Sequence, residues 1–172
     1  MFFLRFLMLL ALIVWIGGII FFAFVLAPTL FSVLPTTRLA GDVVNATLSK
    51  LHWMGLASGV MFLICSLGYN WQKHVQLRPF MVSHVFVLLM LAFTMISQFG
   101  ITPRMRRVRE QLESTQRPGY DPYIPGSVPS LIVLYSGQFN QLHAWSTRLE
   151  SGVLLLGLGV VVLTARRFGN SN

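Results

Sequence analysis

Four stretches of this chain are each long and apolar enough to cross a bilayer, and nothing else in the sequence constrains the fold as strongly. They run over about residues 3–27, 48–71, 79–102 and 138–166. At about 1.5 Å of rise per residue, some 20 helical residues cover ~30 Å of hydrocarbon. Backbone polar groups in lipid must be satisfied within the protein, so each stretch has to be a helix. The prediction is one all-α domain over 1–172, an integral membrane bundle of four transmembrane helices. Only 10% of the residues are charged, against about 25% in soluble domains. The first apolar run has an uncharged core of roughly 22 residues, longer than the roughly 7–15 of a signal peptide, so it is expected to stay in the protein.

The net charge of +8 sits mainly in the connections, where basic residues face lipid headgroups and set topology. Lipid is therefore the predicted partner, and nucleic acid is not. Let face X be the side holding the connections between spans 1 and 2 and between spans 3 and 4. Arg38, Lys50, Arg104, Arg106, Arg107, Arg109 and Arg117 fall there, against Arg5, Lys73, Arg78, Arg166 and Arg167 on face Y. The excess predicts a cytoplasmic face X. Cys65 is the only cysteine, so no internal disulfide can form.

Proline and glycine punctuate the rest. Pro28 predicts a kink or stop near the end of span 1, and Pro103 ends span 3. A short helix is expected over Leu39 to Lys50. Gly55 and Gly59 have the spacing that admits a close neighbouring backbone. In the segment 104–113, Met105, Val108 and Leu112 recur at helical spacing, predicting an amphipathic helix on the bundle or membrane surface. Its Arg104, Arg106, Arg107 and Arg109 are the expected membrane-surface basic residues. Four prolines between 117 and 130 predict a long irregular connection between helices 3 and 4.

Alternating helix direction converts sequence position into depth. His52 and His143 open spans 2 and 4 and Gln98 lies near the end of span 3, so all three belong near face X; His84 belongs near face Y. The steps 143, 147, 150 and 154 place His143, Thr147, Glu150 and Leu154 on one stripe. A charge at a helix centre costs about 2.5–3.5 kcal/mol, so Glu150 needs a partner or an interfacial position. One outcome is a polar pocket of His52, Gln98, His143, Thr147 and Glu150 opening to face X. The other is that Glu150 pairs with Lys50 or Arg104 while Arg148 snorkels to headgroups.

Two histidines at equal depth on two helices could also ligate haem or a metal, as bundle cores do, although interfacial histidines also serve as ordinary hydrogen-bonding residues. Met61, Cys65 and His84 offer donors for a soft metal, or simply pack. No nucleophile with a base, phosphate loop or paired catalytic carboxylates can be placed, so a non-enzymatic role is expected.

Taken in order, WIGGIIFFAFVLAPTLF, AGDVV, ITPRMRRVRE and FNQLHAWSTRLESG resemble the bacterial domain-of-unknown-function 4149 family, related to transmembrane protein 205. The resemblance covers nearly the whole chain. It implies a small four-span protein of the bacterial inner membrane without an established activity. An animal relative's association with resistance to a platinum drug implies handling of a soft metal complex. The W-x-G-G and P-x-L-F elements also look distantly like CopD-type copper-resistance proteins and HemJ-type protoporphyrinogen oxidases. The latter pattern brings a helix 1 histidine and an arginine after the proline, whereas this chain has no histidine there and Thr29 after Pro28.

Three functions follow as expectations: a small-solute or soft-metal binding or tolerance protein with a polar pocket near one face; a haem or porphyrin redox protein; and an accessory subunit of a larger membrane complex, or a homo-oligomer.

Overall fold

The computed structural model describes residues 2–73, 78–115 and 127–169, and every regular element among them is helical. In chain order these are α1 (Phe2–Phe21), α2 (Ala27–Val33), α3 (Thr37–Lys73), α4 (Arg78–Met95), α5 (Thr102–Thr115) and α6 (Ser127–Gly169). A π-helical turn, Phe22–Leu26, joins α1 to α2, and another, Ile96–Ile101, joins α4 to α5. The result is four rods, Phe3–Val33, Thr37–Tyr69, Val82–Thr115 and Leu131–Arg166, each long and apolar enough to cross a membrane. The protein is an integral membrane helical bundle.

Both π turns precede a proline: span 1 runs on past Pro28, where a kink or a stop was expected, and span 3 runs on past Pro103, where an end was expected. Proline cannot donate to the carbonyl four residues back, and its ring presses on that turn. A wider turn absorbs both problems. The N–H of Ala27 reaches the Phe22 carbonyl and the N–H of Thr102 reaches the Ser97 carbonyl, each five residues back. The Thr102 hydroxyl also donates to the Ser97 carbonyl at 3.0 Å. Span 3 therefore runs on through the basic amphipathic segment as α5, with Met105 of its apolar stripe buried on the bundle.

Two more boundaries move. The short helix expected over residues 39–50 is the beginning of α3, because nothing after Thr37 breaks it. The Thr36 hydroxyl accepts the Leu39 N–H at 3.2 Å and caps that start. At the other end α6 begins at Ser127 rather than near residue 138. Pro129 falls in its first turn, where the missing N–H has no intrahelical partner to lose. The predicted irregular connection thus loses residues 127–130, and its remainder, 117–126, lies outside the described residues.

The core is organised around span 1. Met8, Ala11, Leu12, Trp15, Ile16 and Ile19 form a buried stripe at helical spacing, packed with Leu51, Phe62 and Cys65 of α3, Val87 and Met90 of α4, and Val153 and Val160 of α6. Trp15 is 2% exposed. Its indole lies over Gly55 and Gly59, and a Cβ on Gly59 would stand 2.6 Å from the Trp15 ring. The two glycines make room for a side chain, not for the backbone approach their spacing suggested.

Candidate functional site

On α3, His52 follows Ser49 by three residues and Asn45 by seven, which places all three on one face. On α6, Glu150 belongs to the buried stripe through Ser146, Val153 and Val160. Gln98 lies inside the π turn of span 3, directly after the fully buried Ser97. These three rods bring His52, Gln98 and Glu150 together. His52 Nε2 is 2.5 Å from Glu150 Oε1, and its Nδ1 is 2.8 Å from Gln98 Oε1. Gln98 Nε2 donates in turn to Ser49 Oγ at 2.9 Å.

Gln98 and Glu150 thus take one ring nitrogen each, and both nitrogens of His52 are engaged. The side chains of His52 and Glu150 are 2% and 17% exposed. With water excluded, the hydrogen bond is strong and its loss is costly.

His143 and Thr147 stand apart from this network. His143 is exposed, with its ring parallel to that of Phe139 (5° between planes, centroids 6.3 Å apart). Thr147 is exposed and donates back to the His143 carbonyl at 3.0 Å. The stripe facing the bundle runs through Ser146 and Val153, one residue away from Thr147 and Leu154. In an almost wholly apolar span, steps of three and four fit either choice. Arg148 is exposed and lies 5.3 Å from the Trp145 ring, and among the described residues Glu150 pairs with His52 rather than with Lys50 or Arg104.

His143 instead lines a cavity of about 370 Å³ between α2, α3, α5 and α6. Phe31, Val44, Met105, Leu112 and Phe139 supply apolar wall, while Thr37, Arg38, Asn45, Arg109 and Glu113 supply polar groups. The volume lies within the roughly 300–1,000 Å³ of small-molecule sites. Asn45 precedes His52 by seven residues, so the cavity is about 10 Å nearer the membrane face than the His52–Glu150 pair.

An arginine clasp holds the cavity's outer wall. Arg109 meets Asp42 at 2.9 Å and Glu113 at 3.6 Å, and donates to the Arg38 carbonyl at 2.7 Å; Arg38 meets Glu113 at 2.8 Å. Arg104, Arg106 and Arg107 are exposed, whereas the Arg109 side chain is only 15% exposed. Arg109 lies four residues after Met105 and three before Leu112, on the very stripe that made α5 amphipathic. The spacing thus carried the signal, as did the line Asp42, Asn45, Ser49, His52 along α3. Neither was read from the sequence.

The remaining metal and haem candidates are not gathered. Met61 and the buried Cys65 line an outward groove with Trp53, Leu56, Val60 and Ile64. His84 lies on α4 and is not among that groove's lining residues. Among the described residues, no group of three or more His, Cys, Asp and Glu side chains is placed to hold a metal ion. Haem ligation by His52 would require breaking a hydrogen bond at one of its two ring nitrogens.

The family model described as domain of unknown function (DUF4149) matches residues 10–114, which covers most of spans 1 to 3 and leaves α6 outside. No curated protein matches, and no solved structure matches.

Proposed function

This chain belongs to the DUF4149 family, whose description assigns no activity, and from that premise we propose that it is a non-enzymatic membrane protein that binds a small solute near face X. The observation that carries the proposal is the cavity of about 370 Å³, with mixed polar and apolar walls, between α2, α3, α5 and α6. Deeper in the bundle, His52, Gln98, Ser49 and Glu150 tie spans 2, 3 and 4 together. His143, at the cavity wall, is the exposed polar group offered to the solute.

The setting that goes with this function is a bacterial inner membrane with face X toward the cytoplasm, in keeping with the excess of basic residues there. The outer apolar surface contacts lipid. A solute is favoured over a soft metal because Met61 and Cys65 face one groove and His143 another. It is favoured over haem because both ring nitrogens of His52 are engaged.

Elemental analysis and an absorption spectrum of the purified protein test the choice. The expected result is no stoichiometric transition metal and no Soret band after haem supplementation. A stoichiometric soft metal lost on changing Met61 and Cys65, or a Soret band lost on changing His52 and His143, would replace the solute with that ligand.

A further inference from the structure

Resting on the proposed solute site, we infer that the cavity takes a lipid-soluble molecule with a flat, uncharged, oxygen-bearing ring, chemically of the quinone class, drawn from the bilayer. Charge balance is the first reason. Arg38 and Arg109 are matched by Glu113 and Asp42, at 2.8 Å and 2.9 Å for the closest contacts. An anionic head would have to take a guanidinium away from a carboxylate it already contacts, and a cationic head would have to compete with the arginines. An uncharged head displaces neither.

The wall chemistry narrows the class further. The His143 and Phe139 rings lie parallel within 5°, a surface suited to stacking a flat ring. Asn45 can donate from its amide and His143 from its ring, and among the described residues neither is drawn into another side-chain hydrogen bond. Ring oxygens that only accept hydrogen bonds complement these donors. Phe31 lines the cavity and is 49% exposed on the side of span 1, so an apolar tail has a path toward lipid. The site lies at the face X end of the rods.

The test uses the full chain in lipid nanodiscs and three probes of equal tail length: decylubiquinone, undecanoate and decyltrimethylammonium. Decylubiquinone is expected to raise the unfolding temperature saturably, with the half-saturating concentration rising at least tenfold in His143→Ala and in Asn45→Ala; the charged probes should not do so. Both variants alter groups that hold no part of the core. Equal binding of decylubiquinone by wild type and both variants would overturn the inference. Binding of a charged probe that depends on Asn45 and His143, without binding of decylubiquinone, would overturn the ring class and leave the solute site standing. If no probe binds, a native mass spectrum separates the cases: an adduct of other chemistry overturns the ring class alone, and a bare chain overturns the solute site with it.

Discussion

His52 and Glu150 are separated by 98 residues of sequence, yet the Nε2 of one lies 2.5 Å from the Oε1 of the other, inside the bundle. The contact joins span 2 to span 4, and the bond from Nδ1 to Gln98 adds span 3. In lipid the apolar faces of helices have little preference for one another over acyl chains, so packing and interhelical hydrogen bonds decide registry. A buried network across three spans is therefore a registry device.

Removing one partner should cost more than weakening it. Glu150→Ala leaves the buried imidazole without its carboxylate and is expected to lower stability by about 1–3 kcal/mol, the cost of leaving a buried polar group unsatisfied. Glu150→Gln keeps an acceptor and should cost about half as much. Reversible unfolding in detergent measures both. A Glu150→Ala protein as stable as wild type would show that the pair contributes nothing.

Pro103 is predicted to control Gln98 from five residues away. With Pro103→Ala the N–H returns and the wide turn Ile96–Ile101 can relax to α-helical spacing, rotating Gln98 by about 100° away from His52. In protein labelled with ¹⁵N at histidine, the His52 Nδ1 resonance should move as it does in Gln98→Ala. An unchanged Nδ1 resonance in Pro103→Ala, alongside a moved one in Gln98→Ala, would separate the proline from the turn.

Among the basic residues of α5, only one should matter to the fold. Arg109→Ala removes the contacts to Asp42, Glu113 and the Arg38 carbonyl, and is expected to cost about 1–2 kcal/mol, since its partners are partly exposed. Arg109→Lys should recover little of this, because an ammonium cannot reproduce the planar fork. Arg104→Ala, Arg106→Ala and Arg107→Ala should each stay within about 0.5 kcal/mol of wild type. The same unfolding assay decides, and four equal losses would refute the clasp.

Trp15 and Gly59 should behave as a pair. Gly59→Ala puts a methyl 2.6 Å from the Trp15 ring and should cost about 1–3 kcal/mol through overpacking. Combining it with Trp15→Phe, which withdraws the outer ring, should give a loss smaller than the sum of the two single losses. Strict additivity of the two losses would mean that the ring and the glycine do not meet.

The spans and the helical class were legible because hydrocarbon leaves no alternative to a helix and the apolar runs are long. The facing of each helix was not. Span 1 is apolar all round, so hydropathy does not say that Trp15 faces inward, and span 4 let Thr147 stand in for Ser146. The polar groups were legible in depth but not in angle: His52, Gln98 and Glu150 meet, while His143 lies at a cavity wall about two turns nearer the surface. The prolines misled because the proline rule assumes an α turn before the ring, and here the chain widens that turn. Arg109 was missed because it was counted as one of four like charges rather than as a member of a stripe.

The most direct test of the solute site is a native mass spectrum of the chain released from its own membrane. Wild type should carry a small organic mass, of roughly the size a 300–1,000 Å³ site accepts, and Val44→Trp, which fills the cavity with an indole, should fold but lose it. A bare wild-type chain, or an adduct that Val44→Trp retains, would contradict the account.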